Sequence, residues 1–270
     1  MAVITGGGSG IGRALARRFA AAGMHIVLAD VDEVAMRSVE SELAERGTSV
    51  LPVVCDTSLE ASVQSLAQIA LERFGGAHVV CNNAGVVGTG DPWSGPMSAW
   101  DWVVGINLYG VVHGIRAFLP IMQEQGEGHF VNTASMAGLI AMPGTAAYNA
   151  TKSAVVAISE GLRIELKHTG SPVSVSVLCP GFVRTNLVKG QLDKWQDRLG
   201  PQPGATSNAM GALIEQVVDD GVRDGIDPAD VANEVHDAIV ADRFWILTHP
   251  EMRHSPVERM ERAERQENPE

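Results

Sequence analysis

Residues 2–12 read AVITGGGSGIG, a short apolar run followed at once by a glycine-rich turn. Gly6, Gly10 and Gly12 allow tight backbone geometry and close approach to a phosphate group. The apolar positions of Ile11–Ala22 then follow the helical period, so the start of that helix offers free N–H groups to an anion. The turn lacks the Gly-Lys-Ser/Thr ending of nucleotide triphosphatases. The stretch predicts a strand, a nucleotide-binding turn and a helix.

This alternation of strand and helix continues along the chain. The predicted strands are Ala2–Thr5, His25–Ala29, Ser49–Cys55, His78–Cys81, His129–Ala134, Val173–Leu178 and Phe244–Leu247. The predicted helices are Ile11–Ala22, Glu33–Arg46, Leu59–Phe74, Ser98–Gln125, Tyr148–His168 and Asp227–Ala241. Strands that are apolar on both faces need helices on both sides, and right-handed crossovers then give an α/β doubly wound parallel sheet. We predict one such domain over residues 1–250 and a charged tail over residues 251–270.

The composition limits the classes of partner. Of 270 residues, 45% are hydrophobic and 19% are charged, as expected of a soluble globular domain. The formal net charge of −12 disfavours nucleic acid and anionic membranes, because the long-range field repels phosphate groups. We find no stretch of about 18 apolar residues and no basic leader, which predicts a cytoplasmic protein.

The cysteines and histidines do not predict a metal site. Cys55, Cys81 and Cys179 each end a strand-like run, so we expect reduced core residues. None of the eight histidines forms a helical His-x-x-x-His pair, and a zinc site is therefore not expected.

Polar residues and turn residues follow the predicted strands. Asp30, Asp56, Asn83, Ser135 and Pro180 all occupy such positions, as does the glycine turn. Because the carboxyl ends of parallel strands meet at one edge of a sheet, we expect these residues to form one shared site.

Tyr148 and Lys152 are predicted to lie one turn apart on one face of a helix. A free tyrosine has a pKa of about 10, and a neighbouring cation can lower a pKa by roughly 1 to 3 units. The phenol would then titrate near the working pH of a general acid or base. The same spacing is common on ordinary amphipathic helices, so the pair gains its meaning from the motifs that precede it.

In their order, these motifs resemble the short-chain dehydrogenase/reductase family. They are Thr5-Gly6-x-x-x-Gly10-x-Gly12, Asn82-Asn83-Ala84-Gly85, Asn107, Ser135, Tyr148-x-x-x-Lys152 and Pro180-Gly181, within residues 1–185. The resemblance implies a single-domain Rossmann fold of about seven strands in the order 3-2-1-4-5-6-7. It implies an NAD(P)-dependent oxidoreductase that interconverts a secondary alcohol and a ketone.

The resemblance also implies catalytic roles. Tyr148 would be the general acid/base, and Ser135 would polarise the substrate oxygen. Lys152 would stabilise the phenolate and bind the cofactor ribose, and Asn107 would hold a water molecule of the proton relay.

The cofactor is predicted to be NAD, with NADP disfavoured. Asp30 lies about 20 residues past the turn, where a carboxylate can accept hydrogen bonds from the ribose hydroxyls. Val31 is apolar where NADP-binding members often carry arginine. The implied cofactor-binding residues are Gly6, Ser9, Gly10, Ile11, Gly12, Asp30, Asp56, Thr57, Asn83, Ala84, Gly85, Tyr148, Lys152, Pro180, Gly181, Val183 and Thr185. Asp30 and Asp56 could each also cap the following helix, and a structural role is expected for Asn82.

Other classes of protein use a similar sheet. A 3-oxoacyl-thioester reductase of fatty acid or polyketide metabolism would share the catalytic residues but normally uses NADPH, which Asp30 disfavours. A non-catalytic nucleotide-sensing protein usually lacks the tyrosine or the lysine. A methyltransferase would not need Ser135, Tyr148 and Lys152.

The substrate is predicted to be bulky, uncharged and mainly apolar, of steroid, terpenoid or polyketide type. Leu187–Ile214, within an insertion over residues 185–225, has the length and composition of a lid, the alternative being a packed subdomain. Neither Val86–Met97 nor Met136–Thr145 contains an Arg or Lys that could bind a carboxylate or phosphate. The residues predicted to form the facing apolar wall are Trp93, Met97, Met136, Leu139, Ile140 and Met142.

A homotetramer or homodimer is predicted from the two long helices, which are apolar over more than one face. The residues on which this rests are Val111, Val112, Ile115, Val155, Val156 and Ile158. The tail from Glu251 onward alternates Glu and Arg and is predicted to be a solvated helix or frayed end.

Overall fold

In the computed structural model, residues 1–88, 91–185, 187 and 209–269 are described. The strands are β1 Ala2–Thr5, β2 Ile26–Asp30, β3 Val50–Val54, β4 Val79–Asn82, β5 Gly128–Thr133, β6 Val173–Leu178 and β7 Trp245–Ile246. Within the described residues they form one seven-stranded sheet in the order β3-β2-β1-β4-β5-β6-β7. All neighbouring strands are parallel. The predicted fold class and strand order are confirmed.

Helices connect these strands. They are α1 Gly10–Ala21, α2 Glu33–Ala44, α3 Glu60–Phe74, α4 Met97–Val104, α5 Gly110–Gln125, α6 Ala146–His168, α7 Ala209–Asp224, α8 Pro228–Val240 and α9 Ser255–Glu264. A π-helical turn, Gly105–Tyr109, joins α4 to α5, so the predicted long helix is continuous but changes its winding in the middle. Short 3₁₀ turns follow β5 and β7, at Met136–Gly138 and Pro250–Met252.

The sheet is buried on both faces. Neighbouring residues of a strand point to opposite faces, and in β1 both Val3 and Ile4 are fully buried. Ile4 packs in one apolar layer with Leu15 of α1, whereas Val3 packs in another with Phe118 of α5. Helices therefore cover both faces, which explains why the strands are apolar throughout.

Among the described residues, one helical run, Met97–Gln125, is long and apolar enough to cross a membrane, judged by its length and composition alone. Its residues Phe118 and Met122 are fully buried in the core on the sheet. This packing is that of a core helix in a globular domain.

Three of the six residues on which the predicted oligomer rests lie in the core of this chain. Val111, Val155 and Val156 are buried, and they pack together in the core of this chain. Val112 and Ile158 remain half-exposed. Part of the apolar excess on these helices is therefore explained by packing within one chain.

The predicted lid lies for its greater part outside the described residues, including Trp195 and Leu199. The predicted tail helix is present as α9. Its Arg259 donates a hydrogen bond to the carbonyl of Leu139 at 2.7 Å, so the tail also contacts the domain.

Candidate active site

A cavity of about 820 Å³ lies at the carboxyl ends of the strands. Of the residues predicted for the site, those that line it are Gly6, Ser9, Gly10, Ile11, Asp30, Asp56, Thr57, Asn83, Ala84, Gly85, Ser135, Tyr148, Lys152, Pro180, Gly181, Val183 and Thr185. Gly12 and Asn107 are not among the lining residues. The strand ends do converge on one site, as the fold predicts.

Gly12 shapes the glycine turn without lining the cavity. A Cβ at this position would lie 2.0 Å from the carbonyl oxygen of Gly6, so only glycine lets α1 pack against the turn. Gly6 itself has a φ of +66°, a left-handed conformation that favours glycine. The turn therefore has the shape of a phosphate cradle at a helix N-terminus.

Thr5 ties this turn to the loop after β4. Its hydroxyl accepts hydrogen bonds from the N–H groups of Asn83 at 2.9 Å and Ala84 at 3.0 Å. The side-chain amide of Asn83 donates in return to the Thr5 carbonyl at 2.9 Å. Thr5 belongs to the glycine motif, but sequence reasoning gave it no role of its own.

Asp30 is buried at the end of β2. Its carboxylate accepts hydrogen bonds from the N–H groups of Gly8 and Asp32, each at 3.1 Å. The cap of α2 is Asp32, whose carboxylate accepts from the N–H of Ala35 at 2.9 Å. The alternative that Asp30 caps this helix is therefore wrong, and its carboxylate instead lies beside the glycine turn.

Asp56 likewise does not cap its helix. α3 begins after Leu59, and the carboxylate of Asp56 accepts from both the N–H and the hydroxyl of Ser58, at 3.0 Å and 2.6 Å. Asp56 thus orders the turn between β3 and α3 and lines the cavity there.

Ser135, Tyr148 and Lys152 come together in the same cavity, near the end of β5. α6 begins at Ala146, so Tyr148 lies in its first turn. All three residues line the same cavity, and the Lys152 Nζ lies 5.6 Å from the centroid of the Tyr148 ring. Lys152 is 3% exposed and donates to the Thr133 carbonyl at 2.7 Å. The site therefore contains two hydroxyl groups, of Ser135 and Tyr148, and a buried cation, Lys152, close to the tyrosine ring.

The electrostatics of this group differ from the sequence expectation. Burial raises the pKa of Tyr148 above its usual value, although the hydrogen bond with Ser135 acts in the opposite direction. Burial also lowers the pKa of Lys152 to about 8 and raises that of the neighbouring Cys179 to about 12. The expected lowering of the tyrosine pKa is wrong for the protein without cofactor, because desolvation disfavours the phenolate more than its neighbours stabilise it.

Asn107 lies in the π-helical turn and is fully buried. Its side-chain amide accepts from the N–H of Val86 at 2.8 Å and donates to the Val86 carbonyl at 2.7 Å. It also donates to the hydroxyl of Thr151 at 3.3 Å. The side chain thus fixes the loop after β4 against α6, the helix that carries Tyr148 and Lys152.

Asn82 has the structural role predicted for it. It does not line the cavity, and its amide donates to Asn132 at 2.8 Å, which in turn donates to Ser159 at 3.0 Å. This polar chain joins β4, β5 and α6 inside the core.

The apolar wall of the cavity differs from the prediction. Met136, Ile140 and Met142 line it, whereas Trp93 and Met97 do not and are 80% and 68% exposed. Leu139 is not a lining residue either. The lining residues that sequence reasoning missed are Asp32, Glu33, Val34, Cys55, Trp102, Ile106, Thr133, Ala134, Phe182 and Met252. Asp32 and Glu33 directly follow Asp30 and could have been found; the others carry no motif.

The part of the chain that the structure describes contains no group of three or more His, Cys, Asp or Glu side chains placed to hold a metal ion. Cys55, Cys81 and Cys179 are free and buried. The predicted reduced core cysteines are confirmed.

Comparison with known proteins gives consistent matches. The family model described as short chain dehydrogenase matches residues 1–196. A 1-deoxy-11-beta-hydroxypentalenate dehydrogenase of Streptomyces avermitilis is 39% identical over 251 residues, 92% of this chain and 84% of that protein. A short-chain dehydrogenase/reductase of Burkholderia phymatum, solved in complex with NAD, is 42% identical with a TM-score of 0.94 over 100% of this chain and 95% of that one. An actinorhodin polyketide ketoreductase solved with NADPH is 29% identical with a TM-score of 0.76, over 91% and 94%.

Proposed function

Since this chain belongs to the short-chain dehydrogenase family, we propose that it transfers a hydride between NAD and a bulky, mainly apolar secondary alcohol or ketone. The observation that carries the proposal is that Ser135, Tyr148 and Lys152 line one cavity of about 820 Å³, with the buried Lys152 ammonium 5.6 Å from the centroid of the tyrosine ring. A hydroxyl pair of this kind can bind a carbonyl or alcohol oxygen and move its proton.

The shape of the cavity fits an extended dinucleotide. The glycine turn and Asp30 lie at the ends of β1 and β2, and Ser135 lies at the end of β5, three strands along the sheet from β2. With strands about 4.8 Å apart, this separation is roughly 14 Å. One cofactor can therefore reach from the carboxylate at one end to the hydroxyl pair at the other.

The side chains have distinct parts in the chemistry. When bound, the nicotinamide accepts or supplies the hydride. The Ser135 hydroxyl donates to the substrate oxygen, and Tyr148 takes its proton in oxidation or returns it in reduction. Lys152 holds positive charge beside the phenol, which favours the phenolate that forms when Tyr148 gives up its proton.

The lining of the cavity favours an uncharged substrate. Among the described lining residues, Lys152 is the one cation, and the acidic ones follow β2 and β3, away from the hydroxyl pair. The apolar lining near the pair comes from Trp102, Ile106, Met136, Ile140, Met142, Phe182, Leu187, Val218, Val222 and Met252. A terpenoid alcohol fits this lining, and the similarity to a hydroxypentalenate dehydrogenase supports that choice.

A substrate panel tests the function. Bulky alicyclic secondary alcohols and small charged hydroxy acids are each incubated with the enzyme and NAD, and formation of the reduced nicotinamide is followed by absorbance. We expect turnover of at least one bulky alcohol and none of the hydroxy acids. A clear preference for a hydroxy acid would reject this account of the pocket.

We also propose that NAD is preferred over NADP. The carboxylate of Asp30 is joined in the lining by those of Asp32 and Glu33, so a ribose 2′-phosphate would meet negative charge. One such repulsion at 4 Å is worth about 4 kcal/mol at an effective dielectric constant near 20. The alternative function, a thioester or polyketide reductase that uses NADPH, is disfavoured by the same carboxylates.

Asp30→Asn should raise the relative catalytic efficiency with NADP by about tenfold or more, because it removes one charge while keeping an acceptor for the N–H of Gly8. The ratio of kcat/KM for the two cofactors is measured in both proteins. Asp237→Asn, at an exposed position on α8, is the control and should leave the ratio unchanged. Equal efficiency of the unmodified enzyme with NAD and NADP would refute the preference.

We further propose a cytoplasmic homotetramer or homodimer. Tyr109 is 53% exposed, and Val112 and Ile158 are half-exposed on the outer faces of the long helices. Such apolar positions fit an isologous contact between copies. Light scattering at micromolar concentration checks this, and a purely monomeric species would contradict it.

A further inference from the structure

His249 lies just after β7 and packs against the loop that follows β6. The side chain is 6% exposed. Its Nδ1 accepts a hydrogen bond from the N–H of Gly181 at 3.0 Å, and its Nε2 donates to the carbonyl of Phe182 at 3.1 Å. The hydroxyl of Thr248 also lies 2.9 Å from Nδ1. The ring thus joins the backbone N–H of Gly181 to the backbone carbonyl of Phe182.

The peptide unit between Pro180 and Gly181 is held at both ends. Its N–H group is bonded to His249, and its carbonyl accepts from the N–H of Met136 at 2.9 Å and from the hydroxyl of Ser135 at 3.4 Å. The ring of His249 and the hydroxyl of Ser135 are therefore linked through one rigid peptide plane.

Gly181 cannot hold this plane by itself. A glycine has unusual backbone freedom, and the space that a side chain would fill is taken up by its neighbours. A Cβ on Gly181 would lie 2.9 Å from the His249 ring and 2.9 Å from the sulfur of Met252. The imidazole thus replaces a side chain in fixing the orientation of the loop.

We propose that His249 is a positioning residue for the reaction, and that it orients the Pro180–Gly181 peptide and through it the hydroxyl of Ser135. The inference rests on the proposed function, because it takes Ser135 to contact the substrate oxygen. If the plane turns, the carbonyl of Pro180 leaves Ser135, and of the two hydrogen bonds of the serine hydroxyl to the backbone only that from the N–H of Ala137, at 3.1 Å, remains.

Two substitutions of similar size separate the two hydrogen bonds. His249→Asn places an acceptor near the position of Nδ1 and keeps the bond to Gly181, whereas His249→Gln places a donor near Nε2 and keeps only the bond to Phe182. We expect His249→Asn to retain kcat within about threefold of the unmodified enzyme, and His249→Gln and His249→Leu to lose about tenfold or more. His254→Leu, at an exposed position, is the control and should have no effect.

A double-mutant cycle separates this role from general damage to the fold. If His249 acts through Ser135, then His249→Gln should lower kcat much less in a Ser135→Ala background than in the unmodified enzyme. Equal factors in the two backgrounds, or equal kcat for the Asn and Gln variants, would overturn the proposal. Tyr148→Phe is assayed in parallel to separate failure of this proposal from failure of the proposed function. If Tyr148→Phe stays active, the proposed function fails. If Tyr148→Phe is inactive while His249→Gln and His249→Leu have a normal kcat, only the role of His249 fails.

Discussion

Tyr148→Phe should lower kcat by about 10² or more while leaving the fold and the affinity for NADH nearly unchanged. The substitution removes only the hydroxyl, which is the group proposed to exchange a proton with the substrate oxygen. Steady-state kinetics gives kcat, and fluorescence titration gives the dissociation constant for NADH.

The chain contains a second tyrosine that serves as the control. Tyr109 is 53% exposed and lies in the π-helical turn, where it stacks on His113. Tyr109→Phe should keep full turnover. Turnover near that of the unmodified enzyme in purified, folded Tyr148→Phe would contradict the assignment of Tyr148 as the general acid/base.

Lys152→Met should lower kcat by a similar factor and should also weaken NAD binding. The methionine fills the same buried space but removes the ammonium, and with it the positive charge beside Tyr148 and the hydrogen bond to Thr133. Two effects are expected because this ammonium is proposed to act on both the phenolate and the cofactor ribose. Turnover and the NAD dissociation constant are measured in the same preparation.

Lys167→Met is the matched control, since Lys167 is exposed in the last turn of the same helix. It should change neither quantity. A Lys152→Met variant with reduced turnover but normal NAD affinity would contradict the role of Lys152 in binding the ribose and leave its role in stabilising the phenolate. Normal turnover would contradict both roles.

Much of the fold could be predicted because local and global signals agree. Val3 and Ile4 are adjacent and both apolar, as expected of a strand that is covered on two faces. The glycine turn and Gly23 mark the limits of the first helix. The convergence of Asp30, Asn83 and Ser135 follows from parallel topology alone, since equivalent strand ends must meet.

The errors come from choices that short sequence patterns do not determine. Asp30, Asp32 and Asp56 are all suitable helix caps by residue type, but of the three it is Asp32 whose carboxylate accepts from an N–H group in the first turn of the following helix. Trp93 is apolar and near the site in sequence, but Trp102, further along in α4, is the residue that lines the cavity. The oligomer prediction counted Val111 and Val155, which pack in the core of this chain, because periodicity does not distinguish a core contact from a contact between copies.

Contacts between particular side chains away from the strand ends could not be predicted from the sequence pattern. His249 and Gly181 are 68 residues apart, and no spacing rule connects them. The pKa of Tyr148 likewise depends on the balance between burial and neighbouring groups, which requires the three-dimensional arrangement.

Hydride transfer itself can be tested with an alcohol from the active panel that carries deuterium on its carbinol carbon. After reaction with NAD, mass spectrometry of the cofactor should find the deuterium on the reduced nicotinamide in one-to-one proportion to the ketone formed. The Tyr148→Phe protein should form neither product at a comparable rate. Ketone without deuterated cofactor, or equal rates in the two proteins, would contradict the proposed chemistry of this site.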